Sequence, residues 1–221
     1  MKNTKLAAFS FVFAAYAAIG TANAAVITFE TAQSSAAAQS SAQGYRDAVE
    51  AAIAGAGTNK TVLNSYDIVS NQSLFGASNS NIAYKSDIVF GLTSAGSYSF
   101  RAGVDFGKGG AVFLDGQAVA FNSNDMWWGH SYVNTNSIFQ VDNKLLSAGN
   151  HTLTIYGLEG CCDGGQQVQF AANGGQFQSF TAQTLAVAAV PEPETYAMLL
   201  GGLGLVGVVA RRRQSAAKKT A

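Results

Sequence analysis

From Thr61 onward, hydrophobic and polar residues alternate in short segments that glycine-rich turns separate. Alternation with a period of two is typical of strands buried on one face. Ala25–Phe29, which is short and rich in β-branched residues, predicts a further strand before this region. The later strands are predicted at Val62–Val69, Ile82–Phe90, Gly96–Val104, Gly110–Leu114, Gln117–Phe121, Ser137–Val141, His151–Leu158, Gln166–Ala171 and Phe177–Ala182. Many short strands with such turns predict a mainly β fold, an antiparallel sandwich of the jelly-roll type.

One segment before this region has helical spacing instead. Tyr45, Val49 and Ile53 recur every four residues within Gly44–Ile53, so they lie on one face of a helix. Two glycines shortly after Ile53 end the pattern. We therefore expect one short helix near the N-terminus of an otherwise β domain.

The clearest turn in the sequence is Asp115-Gly116, which lies between two predicted strands. Asp-Gly supplies the positive φ angles of a tight type I′ hairpin turn. The inward positions of the strands predict a core that includes Val104, Val112, Leu114, Leu153, Ile155, Val168 and Phe170.

The N-terminus has the pattern of an export signal. Lys2 and Lys5 precede an apolar stretch, Leu6–Ile19, and Ala22-Asn23-Ala24 forms a small-residue cleavage site. These features predict a secretory signal peptide over residues 1–24, handled by the Sec translocon and signal peptidase. The alternative is an N-terminal membrane anchor that stays attached.

The C-terminus has three parts in order: Pro191-Glu192-Pro193, an uncharged apolar run over Tyr196–Ala210, and Arg211-Arg212-Arg213. The apolar run has 15 residues, which span roughly 22 Å as a helix. A stable membrane span needs about 20 residues, so the run is short. The arginines mark the cytoplasmic side. We expect a transient inner-membrane helix, because the run is short and contains four glycines. The alternative, an amphipathic or buried terminal helix of a soluble domain, is disfavoured because the run has no polar face.

These two ends leave residues 25–188 as one exported domain and residues 189–221 as a sorting segment. The whole chain has a formal net charge of zero, but the domain holds eleven acidic and six basic residues, a net charge of −5. This charge argues against nucleic acid as a partner. The abundance of Asn, Gln, Ser and Gly suits contact with sugars, and it equally suits a merely hydrated β protein.

Cys161 and Cys162 are the only cysteines, and they are adjacent. Exported proteins meet oxidising conditions, which favours a disulfide between them. Adjacent Cα atoms lie about 3.8 Å apart across a trans peptide, less than the roughly 4.4–6.8 Å of ordinary disulfides. An intermolecular bridge, free thiols and a metal role stay open as alternatives. A vicinal bridge beside Asp163 would form a rigid apolar knob able to pack on a sugar face, or simply a rigid turn.

A second unusual segment contains both tryptophans. Asn124 and Asp125 precede Trp127 and Trp128 in a loop rich in asparagine. Exposed aromatic rings among amides and carboxylates can form a sugar-binding platform, because sugars stack on rings and bond to polar groups. Neighbours in a strand alternate in direction, so one indole could be buried while the other faces solvent. The alternative is that the loop packs onto the end of the sandwich.

Catalysis has little support in the sequence, so we do not expect an enzyme. His130 and His151 are the only histidines, and His151 stands where a turn enters a strand, which favours a structural role. None of the common nucleophile, zinc-protease or phosphate-loop motifs occurs. The aspartates lie in turns, where they are common. A calcium site from Asp105, Asp125 and Asp163 with backbone carbonyls stays open, and no other cofactor is expected.

The C-terminal segment resembles the PEP-CTERM sorting signal of Gram-negative bacteria that make extracellular polysaccharide. Val190 to Pro193, the glycine-rich apolar run and Arg211–Arg213 carry the resemblance. It implies an exosortase that cuts near Pro191-Glu192-Pro193, with delivery to the cell surface or the extracellular matrix. Glu159–Gly164 also resembles a subset of such proteins marked by a Cys-Cys-x-Gly motif, which implies no activity.

Ser97–Phe170 resembles the sugar-binding β-sandwich named after the anthrax protective antigen and the related domains of yeast flocculins. Asp105, Leu114-Asp115-Gly116 and Ala148-Gly149-Asn150-His151 carry the resemblance. Calcium-dependent lectins of this family have two adjacent aspartates in the first loop, whereas this chain has Val104-Asp105-Phe106-Gly107. The departure argues against calcium-mediated sugar binding.

Together these features predict an exported carbohydrate-binding or adhesion module associated with exopolysaccharide. Its candidate face comprises Trp127, Trp128, Asn124, Asp125 and the Cys161-Cys162-Asp163 loop. A structural matrix protein without a discrete ligand site is the alternative, and an enzyme acting on polysaccharide is a third, weaker one.

Overall fold

Strands dominate the described part of the chain, as the alternating pattern predicts. They are β1 (Val26–Gln33), β2 (Asn59–Leu63), β3 (Ser80–Leu92), β4 (Gly96–Gly103), β5 (Asp105–Phe106), β6 (Gly110–Leu114), β7 (Gln117–Asn122), β8 (Met126–Trp127), β9 (Ile138–Leu146), β10 (Gly149–Cys161), β11 (Gln167–Ala172) and β12 (Gln178–Ser179). The helices are α1 (Ala42–Ile53) and α2 (Asn71–Phe75), with a 3₁₀ turn at Thr135–Ser137.

The computed structural model describes residues 25–77, 80–185 and 202–203. The predicted signal peptide, the Pro191-Glu192-Pro193 motif and Arg211–Arg213 lie outside these residues. Of the predicted apolar helix only Gly202 and Leu203 are described, and both are helical. Within the described ranges, no helix has the length and apolar character needed to cross a membrane.

The strands form two main antiparallel sheets. One has six strands in the order β2-β1-β3-β10-β6-β7, and the other has four in the order β12-β11-β4-β9. A separate two-stranded ribbon joins β5 to β8. Long pairings hold the larger sheet together, since β3 pairs along almost its whole length with β10. The predicted antiparallel sandwich is confirmed.

The core lies between the two main sheets. Phe90 of the larger sheet packs on Phe100 of the smaller one with ring centroids 5.8 Å apart, and Phe170 packs on Phe180 at 4.8 Å. All seven residues predicted from the sequence to be in the core are buried, with at most 6% of their surface exposed. Apolar side chains at alternate positions of both sheets are buried between them, and this burial stabilises the sandwich.

Helix α1 covers the outer face of the six-stranded sheet. Ser41 caps it by accepting a hydrogen bond from the Gly44 amide, so it begins two residues before the predicted start. Tyr45 and Val49 are fully buried against the sheet, as their spacing predicts. Lys85 on β3 forms a 3.0 Å ion pair with Glu50, which fixes the helix further.

The sequence prediction was wrong in several places where tertiary contacts decide the structure. The predicted strand Val62–Val69 ends at Leu63, after which Ser65 and Val69 make only isolated bridges. The predicted strand Phe177–Ala182 is reduced to Gln178–Ser179. Helix α2 and the short ribbon strands were not predicted, because elements of two to five residues carry too little periodicity.

Candidate functional site

The β5–β8 ribbon brings two separate loops together. It pairs Asp105 with Trp127 and Phe106 with Met126. Phe106 and Met126 are fully buried, so the ribbon is anchored in the core by one face. Because neighbouring residues of a strand point in opposite directions, Asp105 and Trp127 lie on the other face. The ribbon thus places a carboxylate beside an indole at the edge of the sandwich.

The two tryptophans have opposite environments. Trp127 is 71% exposed, whereas Trp128 is 4% exposed. The Trp128 ring lies directly over Gly103, where an added Cβ would come within 2.3 Å of the ring. It also packs against Tyr132 and His130, with ring centroids 5.3 and 5.0 Å away. Trp128 is therefore a structural residue, and its predicted place in the ligand face is corrected.

Trp127 stands at the edge of a cleft of about 240 Å³ lined by Asp105, Trp127, Gly129, His130 and Gly165, called the Trp127 cleft below. Gly164 and Gly165 are required for its shape. A Cβ on Gly164 would lie 2.0 Å from Asp105 Oδ2, and one on Gly165 would lie 3.1 Å from His130 Nε2. The glycine pair lets the loop after β10 approach both polar side chains closely.

The carboxylate of Asp105 is in an unfavourable environment for negative charge. Burial, together with the smaller effect of the nearby carboxylates of Glu159, Asp125 and Asp163, raises the pKa of Asp105 to about 7. Near neutral pH this group can therefore exchange between hydrogen-bond donor and acceptor. A polar ligand with hydroxyl groups offers partners for both forms.

Glu159 is a buried carboxylate near Asp105. It is 1% exposed, and its Oε2 accepts a 2.5 Å hydrogen bond from the Gly107 amide. Its Oε1 has no hydrogen-bond partner within the described residues. Burial raises the pKa of Glu159, although bonds from the amides of Gly107, Cys161 and Gly160 oppose this. Because it is bonded to the backbone and covered, Glu159 holds loops in place.

Cys161 and Cys162 are joined in a vicinal disulfide across a cis peptide bond, and both are exposed. Cys161 is the last residue of β10 and pairs with Ser80. The disulfide thus lies at the end of a long strand, beside the loop that carries Gly164. The structure contains the vicinal bridge rather than free thiols in this pair.

Asp163 has a structural task that the sequence did not reveal. Its carboxylate accepts hydrogen bonds from the amides of Asn71 and Gln72, at 3.1 and 2.6 Å, and from the Tyr84 hydroxyl at 2.5 Å. These two amides belong to the first residues of helix α2, so Asp163 accepts hydrogen bonds from N–H groups that have no partner within the helix. Burial, followed by the bond to Asp163, raises the pKa of Tyr84. Asp163 thus has a structural role at helix α2, and its ligand-binding role stays a prediction.

The residues considered for calcium are Asp105, Asp125 and Asp163. Within the described part of the chain, no group of three or more His, Cys, Asp or Glu side chains is placed to hold a metal ion. Asp163 is committed to helix α2. Phe106, next to Asp105, is fully buried and stacks on Tyr84 with ring centroids 5.3 Å apart.

The remaining predicted residues lie near the cleft without lining it. Asn124 and Asp125 are exposed just before β8, and Asn124 donates hydrogen bonds from its backbone N and its Nδ2 to Asn122 Oδ1. Conversely, His130 and Gly165 line the cleft but were not assigned to it from the sequence. The positive φ of His130, 60°, belongs to a turn that no local pattern predicts.

His151 has the structural role expected of it. Its Nδ1 lies 2.7 Å from Asp115 Oδ2, and its Nε2 lies 3.0 Å from the carbonyl oxygen of Ser147. These bonds tie the β6–β7 hairpin turn to the turn before β10. Asp115 and Gly116 both have positive φ, at 50° and 78°, as the predicted type I′ turn requires.

Residues 189–214 match a family model described as the PEP-CTERM protein-sorting motif. The motif indicates an exported protein that is anchored transiently at the membrane on its way to the cell surface. The predicted sorting residues Pro191, Glu192 and Pro193 and the arginine cluster up to Arg213 lie within the matched range. No curated protein sequence matches the chain.

The described domain is similar to solved structures that share little sequence with it. A PA14 sugar-binding domain from an RTX adhesin has 14% identity and a TM-score of 0.51, with 75% of this chain and 99% of that chain covered. The PA14 domain of the antifreeze protein MpAFP has 13% identity and a TM-score of 0.48, covering 77% and 96%. An Epithelial Adhesin 9 A domain from Candida glabrata, in complex with beta-lactose, has 10% identity and a TM-score of 0.48, covering 80% and 96%. The first likeness shows that the domain has a PA14-like fold.

Proposed function

We propose that this protein is an exported carbohydrate-binding or adhesion module that acts at the cell surface or in the extracellular matrix. The exposed indole of Trp127 at the edge of a polar cleft is the observation that carries the proposal. A 71% exposed tryptophan loses hydrophobic stabilisation unless a ligand covers it. The PA14-like fold and the sorting motif support the proposal.

The cleft offers the two kinds of contact that a sugar ring needs. The Trp127 ring presents a flat apolar face for the C–H groups of a pyranose. Asp105 and His130 lie in the same cleft and can bond to hydroxyl groups. The disulfide-linked Cys161 and Cys162 lie nearby in the chain as an exposed apolar ridge, which we propose extends the contact surface.

We propose binding rather than catalysis because the carboxylates of Glu159 and Asp163 form hydrogen bonds that stabilise the fold. Glu159 is covered and bonded to the Gly107 amide, and Asp163 holds the start of helix α2. Hydrolysis of a glycosidic bond would need two carboxylates that both reach the substrate. Asp105 alone in the cleft supports recognition of hydroxyl groups.

The route to the surface is proposed from the two ends of the chain. Export through the Sec translocon, removal of residues 1–24 by signal peptidase, and exosortase cleavage near Pro191-Glu192-Pro193 would release the domain 25–188 in a Gram-negative host. Expression with and without a coexpressed exosortase tests this route. A shortened mature product that appears only with the exosortase, and is lost when Pro191 and Pro193 are changed to alanine, is the expected result.

Binding of purified full-length protein to an array of neutral and acidic oligosaccharides tests the function. Trp127→Ala should weaken binding at least five-fold, because one lost stacking contact costs about 1 kcal/mol. Phe121→Ala is the matched control, since Phe121 is also an exposed aromatic residue, at 51%, but lies on β7 away from the cleft lining. Absence of binding to every oligosaccharide, with and without calcium, would favour a structural matrix protein instead.

A further inference from the structure

A row of polar side chains crosses the outer face of the four-stranded sheet. Gln140, Arg101, Gln169 and Ser179 are paired in register across β9, β4, β11 and β12. Directly opposed residues of antiparallel strands point to the same side of a sheet. The neighbouring Phe100 is buried in the core, so this row faces away from the core.

Arg101, in this row, is held unusually firmly for a surface cation. Its guanidinium carbon lies 3.8 Å from the centre of the Tyr132 ring and 4.1 Å from the centre of the Phe177 ring. Its Nε donates a 2.7 Å hydrogen bond to Gln169 Oε1. Two stacked rings and one bond fix both the position and the plane of the guanidinium. We call Arg101, Gln169, Tyr132 and Phe177 the Arg101 clamp.

The cation in the clamp lacks a charged partner within the described residues. Lys60 and Lys85 form ion pairs with Glu30 and Glu50, whereas Arg101 forms none. Its terminal nitrogens also donate no hydrogen bond in that part of the chain, since only Nε is engaged. A fixed guanidinium with its outer edge unused is preorganised to bind an oxyanion in a bidentate manner.

The charges around the clamp favour a carboxylate over a phosphate. Arg101 supplies one positive charge, while Asp142 and Asp67 bond to Gln140 and Gln167 on the same face. A phosphate with close to two negative charges would meet one cation and two carboxylates. A carboxylate carries a single charge and matches the planar guanidinium fork. The exposed or half-buried glutamine amides beside it suit the hydroxyl groups of a sugar.

We infer that the Arg101 clamp binds the carboxylate of a hexuronate residue in an acidic polysaccharide. The clamp shares a loop with the Trp127 cleft, because His130 lines the cleft and Tyr132, two residues later, covers Arg101. One polysaccharide chain therefore has contacts available at both places. The inference rests on the proposed function only in assuming that the ligand is a polysaccharide.

The test compares binding of the full chain to an oligomer of galacturonic acid and to the same oligomer with its carboxyl groups reduced to alcohols. The native protein should bind the acidic oligomer at least five-fold more tightly, and added salt should reduce this preference. Arg101→Lys should lose it, because lysine keeps the charge but not the planar fork. Inorganic phosphate at equal concentration should compete less well than free galacturonate.

Gln169→Glu is the decisive variant, because it places a carboxylate of the same shape against Arg101 and leaves both rings in place. Gln169→Glu should keep the melting temperature of the native protein and lose the preference for the acidic oligomer. Gln178→Glu, which adds the same charge at an exposed position of β12, should keep most of the preference. Equal binding of both oligomers by the native protein, or equal preference in the two glutamate variants, would overturn the inference.

The Trp127→Ala variant separates this inference from the proposed function. If it loses binding to both oligomers and the native protein shows no preference, the Trp127 cleft binds sugar and the Arg101 inference fails. If the acidic oligomer still binds through Arg101 while Trp127→Ala has no effect, the clamp stands and the role proposed for the cleft fails.

Discussion

Replacing Asp105 with asparagine should stabilise the protein at alkaline pH. Asp105 lies partly buried beside three other carboxylates, and its pKa is raised from 3.8 to about 7. The folded state therefore favours the neutral carboxyl group. An acid whose folded pKa exceeds its unfolded pKa lowers the free energy of unfolding as pH rises between the two values, from about 4 to about 7. Above pH 7 the full penalty is present.

The size of the effect follows from the same two values. A rise of this extent corresponds to about 4 kcal/mol if none of it is screened. Because Asp105 lines a solvent-filled cleft, water screens the charge, and we expect about 1–2 kcal/mol. Asparagine keeps the shape of the side chain and removes the charge. Asp105→Asn should therefore raise the free energy of unfolding by about 1–2 kcal/mol at pH 8, and the melting temperature by about 3–6 °C.

Urea unfolding followed by tryptophan fluorescence at pH 8 and pH 5, in the presence of a chelator, measures the effect. The gain should be smaller at pH 5 than at pH 8, because the penalty is complete only above the folded pKa of Asp105. Asp142→Asn on the exposed face of β9 is the matched control and should change stability little at either pH. A loss of stability at pH 8, or a gain equal at both pH values, would refute the reasoning.

Two further predictions concern stability. Gly103→Ala should destabilise the fold by about 2–3 kcal/mol in the same urea assay, because its Cβ would meet the Trp128 ring at 2.3 Å. Gly160→Ala is the control and should destabilise much less, because its Cβ would meet only the Lys108 side chain, at 3.3 Å. Burial alone would lower the pKa of His151, but bonds to Asp115 and Ser147 raise it overall. Stabilisation by His151 is then full below about pH 6.5 and is lost as pH rises through the folded pKa. The stability difference between native protein and His151→Gln should be larger at pH 5.5 than at pH 8.5, and a difference independent of pH would contradict this.

The regular elements were predictable because each has a local signal. The spacing of Tyr45 and Val49 predicts helix α1, and Asp115-Gly116 predicts the β6–β7 hairpin, both confirmed by the structure. The strand predicted over Val62–Val69 failed since Tyr66 and Val69 turn toward the four-stranded sheet and bond there. That bonding depends on residues 166–180, which lie far along the chain.

The candidate site was predictable only in part. Alternation along a strand indicated that Trp127 and Trp128 could differ in exposure, but not which of them would be buried. Gly103 decides this, because the space left by its missing side chain is filled by Trp128. Asp163 looked like a free turn aspartate until helix α2 was seen to depend on it. Helix α2 is too short to be visible as a pattern.

By itself, the sequence determined where most of the longer strands run and that the chain carries a sorting signal, because periodicity, turn residues and short motifs are properties of neighbouring residues. Only the tertiary structure decided which polar and aromatic side chains are available for a ligand. Pairing of β5 with β8 brings Asp105 next to Trp127, and stacking of Tyr132 and Phe177 fixes Arg101. These contacts join residues many positions apart, and their cost in chain entropy is offset by the core that forms beneath them.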